Sequence, residues 1–150
     1  MQRAVDLSAK ALTNDRGGPF GAIVVKDNEI VGSGYNQVIS TNDPTAHAEI
    51  LAIRDACRYL GTFDLTDCEI YCSCEPCPMC LGAIYWSRIS RIYYSNTRRD
   101  AAAIGFEDDF YFGELAKLPD QRSIPSIRIL QPTSLKVFED WGKKVPRVNY

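Results

Sequence analysis

Hydrophobic positions along the chain switch repeatedly between a period near 3.6 and a period near 2, which predicts helices alternating with strands. Residues 3–13 (RAVDLSAKALT) place Ala4, Leu7, Ala11 and Leu12 at helical spacing, with Val5 beside that stripe, and the segment NDRGGP ends the helix. Residues 20–26 (FGAIVVK) and 29–35 (EIVGSGY) are β-rich runs separated only by Asp27-Asn28, the pattern of a hairpin with a tight turn. In the following loop, residues 40–45 (STNDPT), Asn42 or Asp43 can cap a helix with Pro44 in its first turn. That helix continues through AHAEILAIRDACRYL, turns Ile50, Leu51, Ile53 and Cys57 towards a core, and stops at Gly61.

Residues 69–74 (EIYCSC) predict a third strand, after which Pro76 and Pro78 break the chain and open a helix through CLGAIYWS. Residues 91–95 (RIYYS) predict a fourth strand, RDAAAIG a short helix, and residues 127–130 (IRIL) a fifth strand. SLKVFEDWGKK predicts a final helix before the tail VPRVNY. With no repeat, linker or low-complexity segment, residues 1–150 read as a single α/β domain. The expected architecture is a three-layer α/β/α sandwich around a five-stranded mixed sheet with an antiparallel hairpin at one edge.

Composition narrows the class. A chain of 150 residues, 45% hydrophobic and 24% charged, is long enough to bury most of its apolar surface without disulfide staples. A net charge of −2 argues against a surface built to grip phosphate backbones, so no nucleic-acid partner is expected. No apolar run approaches the roughly 20 residues of a membrane span. The start, MQRAVDLSAK, lacks the apolar centre of a secretion signal, and a cytoplasmic location is the expectation.

The cysteines and the lone histidine, His47, change the picture further. Four of the six cysteines lie within CSCEPCPMC, too close together for most disulfide geometries, so metal is the better reading. His47, in T-A-H-A-E, falls in the first turn of the second predicted helix, and Cys77 and Cys80, in P-C-P-M-C, in the first turn of the third. A helix N-terminus carries about half a positive charge and favours thiolate over thiol. One imidazole and two thiolates supply three zinc ligands and leave a fourth position for water. Glu49, two residues after His47, does not share its helical face, which suits a carboxylate beside that water better than a further ligand. Cys74, Cys77 and Cys80 also begin an iron–sulfur spacing, but the expected continuation is replaced by LGAIYW. Cys57, Cys68, Cys72 and Cys74 read as packing residues.

H-A-E together with P-C-x-x-C resembles the signature of the zinc-dependent cytidine-deaminase superfamily, to which base deaminases belong. The segments RGGPFGAIVVKDNEIV, NDPTAHAEILAIR, SCEPCPMCLGAIYWSR and DAAAIGFEDDF resemble, within it, the small bacterial-type guanine deaminases, over nearly the whole chain. The resemblance implies one Zn2+ per chain, held by His47, Cys77 and Cys80, with Glu49 shuttling protons. It implies that zinc-activated water converts guanine to xanthine and ammonia, a step of purine catabolism. It further implies that Asn36 hydrogen-bonds the base, Asp108, flanked by Glu107 and Asp109, reads its purine edge, Phe20 and Trp86 line the pocket, and Tyr150 closes it. A homodimer is implied as well, in which residues 131–150 cross to cover the partner subunit's site.

Read alone, these residues have plainer explanations. Asn36 ends a strand where turn residues are common, the acidic triplet suits a solvated loop, and Phe20 suits a core. Trp86 suits packing as well as a pocket, and Tyr150 a frayed end. Deamination of guanosine, another amino-heterocycle or a tRNA adenosine stays open, as does a non-enzymatic zinc module completed by Cys74.

Overall fold

Asp27 and Asn28 both hold left-handed backbone (φ 49° and 64°), as a type I′ turn requires, and so join two strands into the predicted hairpin. The computed structural model describes residues 1–13 and 17–148. Its chain divides into two units, Met1–Phe112 and Gly113–Tyr150. In the first, α1 (Gln2–Thr13) precedes the hairpin strands β1 (Gly21–Lys26) and β2 (Glu29–Tyr35). There follow α2 (Val38–Thr41), α3 (Ala48–Leu60), β3 (Glu69–Cys74), α4 (Pro78–Trp86), β4 (Arg91–Asn96) and α5 (Arg98–Ala102). β3 runs antiparallel to β1 and parallel to β4, giving a mixed sheet in the order β2-β1-β3-β4.

Glycines show how closely the layers meet. Gly34 pairs with Ala22 across the hairpin, and a β-carbon on Gly34 would stand only 2.3 Å from the Ala48 carbonyl of α3. Gly21, one residue from Ala22 and so on the opposite face, would meet the Ala4 carbonyl of α1 at 2.2 Å. The helices α1 and α3 therefore cover opposite faces, and the three layers exist in this unit. Ala22, Val24, Ile70 and Cys72 from the sheet pack with Ala48, Ala52, Ile53, Ala56 and Ile84 from α3 and α4.

Several expectations are corrected. The buried face of α3 is its alanine row with Ile53, while Ile50, Leu51 and Cys57 are half-buried. The strands come so near that only a methyl group fits between. On α1, Ala4, Leu7 and Ala11 are buried, but Leu12 and Val5 are exposed. α3 also begins later than Pro44, because the Asp43 carboxylate accepts hydrogen bonds from the Thr45 N–H (2.8 Å) and hydroxyl (2.6 Å), which closes a separate turn. Four strands are present among the described residues, not five. Residues 127–130 form no ladder, and Ile127, Ile129 and Leu130 lie exposed. β-branched composition alone makes no strand without a partner edge. The acidic triplet is not a loop: Asp108 and Asp109 open α6 (Asp108–Ala116). Cys68, Cys72 and Cys74 are buried as expected.

In the second unit, a 3₁₀ turn (Pro119–Gln121) precedes α7 (Gln131–Lys143), which starts three residues ahead of its predicted position. Glu114 holds this turn, accepting hydrogen bonds from the Ser123 N–H and hydroxyl, each at 2.7 Å, and pairing with Lys117. No described residue from 113 to 148 is buried. Among the described residues no helix is long and apolar enough to cross a membrane.

Candidate active site

Two helix starts meet at one point. His47 is the N-cap of α3 and Cys77 the N-cap of α4, each one position outside the first turn that the sequence predicts. Pro78 follows Cys77 as the first residue of α4, with its φ already helical, and places Cys80 in the same turn. The His47 Nδ1 atom lies 3.6 Å from Cys77 Sγ and 3.5 Å from Cys80 Sγ. All three donor atoms lie within 4.8 Å of one another.

The charges follow from these contacts. The Cys80 thiol donates to Cys77, and the imidazole lies against it, so the Cys77 pKa falls to about 4. Cys80, holding the proton of the pair in a buried place, is pushed far up. Contact with Cys77 in turn raises His47. Glu49, the second residue of α3, is buried beside them and reaches Cys80; burial raises its carboxyl to about 7. Cys74, also buried, rises to about 11, and its Sγ faces the Thr97 carbonyl at 3.5 Å. With Thr97 as its separate partner, Cys74 does not join the donor cluster of His47, Cys77 and Cys80.

A cavity of about 260 Å³ opens beside this cluster, lined by His47, Glu49 and Cys77 together with Phe20, Asn36 and Asp108. Asn36 is buried, and its side-chain oxygen accepts hydrogen bonds from the Gly18 N–H (3.3 Å) and the Val38 N–H (3.2 Å). Both partners are donors, so the amide is oriented with its NH2 end left for a ligand. Asp108 is half-buried, and burial next to the negative Cys77 raises its pKa. Phe20 packs edge-on against Phe106, centroids 4.8 Å apart.

Trp86 does not join the site. It is 70% exposed, at the far end of α4, six residues or about 9 Å along the axis from Cys80. Tyr150 lies outside the described residues. Phe106 and Glu75, which also line the cavity, were not picked out as site residues from the sequence. Phe106 lies beside the acidic triplet and Glu75 just before P-C-P, positions where neither residue type carries a signal of its own.

Residues 1–96, which contain H-A-E and P-C-P-M-C, match the family of the cytidine and deoxycytidylate deaminase zinc-binding region. The chain belongs to this deaminase family. Within it, the chain is 48% identical over 150 residues to the guanine deaminase of Bacillus subtilis, covering 100% of this chain and 96% of the relative. An X-ray structure of guanine deaminase from Bacillus subtilis superposes with a TM-score of 0.95 at 46% identity, over 99% of this chain and 95% of that one. Similarity to the tRNA-specific adenosine deaminase of Aquifex aeolicus, 51% identical, stops after 77 residues, 51% of each chain.

The donor set of this deaminase fits zinc. Bond lengths of about 2.0–2.1 Å to nitrogen and about 2.3 Å to sulfur, at a tetrahedral angle, separate the two donors by about 3.6 Å. The observed 3.6 and 3.5 Å match that spacing.

Proposed function

We propose that this chain deaminates guanine hydrolytically to xanthine and ammonia. The observation that carries the reading is its closeness to guanine deaminase over the entire chain, 48% identical with a TM-score of 0.95, whereas a tRNA:A34 deaminase superposes over 84% of the chain with a TM-score of only 0.65 at 33% identity. The cavity agrees in chemistry: Glu49, Glu75 and Asp108 give it three carboxylates, a lining that suits a neutral base and repels a phosphate backbone. Its volume, about 260 Å³, lies just below the roughly 300–1,000 Å³ of pockets for drug-sized ligands, in keeping with a small ligand.

His47, Cys77 and Cys80 are the residues that would hold one zinc ion, which supplies Lewis acidity and lowers the pKa of water to about 7. Glu49 takes one proton from the water that attacks C2 and delivers it to a ring nitrogen, then takes the second from the new C2 hydroxyl and passes it to the amine, so that the C–N bond breaks and ammonia leaves as the C2 carbonyl of xanthine forms. Its burial suits both directions of transfer near neutral pH. The Asn36 amide donates to an acceptor on the purine edge, and Asp108 accepts from the N–H groups that guanine presents and adenine lacks. Phe20 and Phe106 press the ring in place, which holds C2 against the site while aromaticity is lost.

The enzyme acts as a cytoplasmic homodimer in purine breakdown, with residues 131–150, including Tyr150, covering the partner subunit's site. Supporting this, Ile124, Ile127, Ile129, Leu130, Val137 and Phe138 are all exposed in a segment without a buried residue, an apolar surface that calls for a partner. The test is ammonia release from guanine, guanosine, adenine, cytosine, ammeline and an adenosine-34 tRNA. Guanine should lead the panel. Faster release from any other member would overturn the assignment.

A further inference from the structure

Arg98 does not line the cavity, yet its contacts reach two segments that do. Its backbone is fixed first. Thr97 caps α5 through a reciprocal pair, the Thr97 N–H to Asp100 Oδ2 at 2.8 Å and the Asp100 N–H to Thr97 Oγ1 at 3.4 Å. The Arg98 N–H donates to Glu75 Oε2 at 3.0 Å, and the Glu75 N–H donates to the Asn96 carbonyl at 2.8 Å. Arg98 is thereby anchored to the stretch that leads, two residues later, into Cys77.

From that anchor the guanidinium grips one face of α6. Its Nε lies 3.0 Å from Asp109 Oδ1, and its Cζ lies 4.9 Å from the centre of the Phe112 ring. Asp109 and Phe112 are three residues apart and share a helical face. Asp108 is turned about 100° from Asp109 and lines the cavity instead. α6 has no buried residue, so no core packing of its own sets its rotation. The edge contact between Phe106 and Phe20 tethers the chain just before α6 but leaves that rotation open.

We propose that Arg98 is a positioning residue: by holding Asp109 and Phe112 it decides which of three consecutive acids, Glu107, Asp108 or Asp109, faces the base. The proposal rests on the guanine reading above. Without that hold, rotation of α6 and of Glu107 just before it presents any of the three carboxylates, and only one register aligns with the N–H edge. The contacts are partly exposed, with side chains 41% and 62% accessible for Arg98 and Asp109, so each favours its geometry only a few-fold. Together with the cation–π contact they bound the effect at about tenfold, and their loss leaves the fold intact.

The experiment measures kcat and KM for guanine with zinc-loaded wild type, R98A, R98K, D109N and the R98A/D109N double variant. Arg98→Ala should raise KM by about tenfold, change kcat less, and keep the zinc content and melting temperature of the wild type. D109N should move KM the same way, the double variant should be no worse than R98A alone, and R98K should recover most of the loss. A merely structural role would lower the melting temperature and would show no such coupling or rescue. An unchanged KM in R98A, or losses that multiply in the double variant, would overturn the proposal. If R98A cannot be purified, an unchanged KM in D109N overturns it equally. A wild type that leaves guanine untouched would overturn the functional reading as well; an active wild type matched by R98A would overturn this proposal alone.

Discussion

Gly34→Ala is expected to damage the catalytic site from a distance, through the layer spacing. The added methyl carbon would stand 2.3 Å from the Ala48 carbonyl oxygen and 2.7 Å from the Ala52 nitrogen. Both are helix backbone and cannot step aside, so α3 must retreat by about 1 Å to reach ordinary contact. Overpacking of this kind costs about 1–3 kcal/mol, within a usual stability of about 5–15 kcal/mol, so the protein should still fold. Ala48 lies between His47 and Glu49, and a misplacement of about 1 Å there can cost about 10²-fold in turnover. Gly32→Ala is the control. It meets the Ala52 carbonyl at 2.4 Å, one helical turn or about 6 Å farther from His47. Urea unfolding should show similar losses for the two variants, while guanine turnover should fall about 10²-fold for Gly34→Ala and less than about tenfold for Gly32→Ala. Equal turnover in the two variants, or a Gly34→Ala enzyme as active as wild type, would refute the reasoning.

Glu49→Gln should keep zinc and fold while losing about 10²–10⁴-fold or more in kcat, checked by steady-state assay against elemental analysis; retention within about tenfold would move the proton role elsewhere. Elemental analysis should give zinc near one equivalent per chain in a colourless protein, lost in His47→Ala and Cys77→Ala, and a brown protein containing iron and sulfide would contradict it. Deleting residues 146–150 should leave a zinc-loaded protein with sharply reduced turnover. Mixing it with Glu49→Gln chains should restore activity, since the tail-deleted subunit keeps Glu49 and borrows its partner's tail; no recovery after verified subunit exchange would exclude covering in trans. Lys117 and the Ser123 donors lower the Glu114 pKa to about 2. The stabilisation is therefore present above the usual carboxylate value and is lost as pH falls towards 2. Amide exchange at Ser123 should accelerate across that window in wild type and be pH-independent there, apart from intrinsic chemistry, in Glu114→Gln.

The hairpin and the donor set were legible because their causes are local. Asp27-Asn28 is a turn by its own backbone preferences, and H-A-E and P-C-P-M-C each sit at a helix start. The misreadings come from what a sequence window does not contain. The alanine face of α3 was invisible because its partner, the Gly32 and Gly34 strand, decides which face is buried. Residues 127–130 have strand composition, but strand formation depends on an edge elsewhere. Trp86 shares a helix with Cys77 and Cys80, and sequence adjacency gave no measure of its distance along the axis. Asp108 was separated from Asp109 by the resemblance alone, whereas in the structure Arg98 distinguishes them physically.

His47 is 30 residues from Cys77 and 33 from Cys80, and the core between α3 and α4 is what brings them together. Closing a loop of that length in a free chain costs about 3 kcal/mol in entropy, or about a hundredfold in apparent affinity. Packing between the two helices offsets that cost together with the ion, so folding and chelation are linked. Hold on the ion is then a gauge of core integrity. Ala52, Ala56 and Ile84 are not themselves donors, yet a substitution that loosens their packing must shift the chelation equilibrium by whatever fraction of the chain has come apart. Metal loss on warming would thus report the first opening between the two helices, ahead of the sheet.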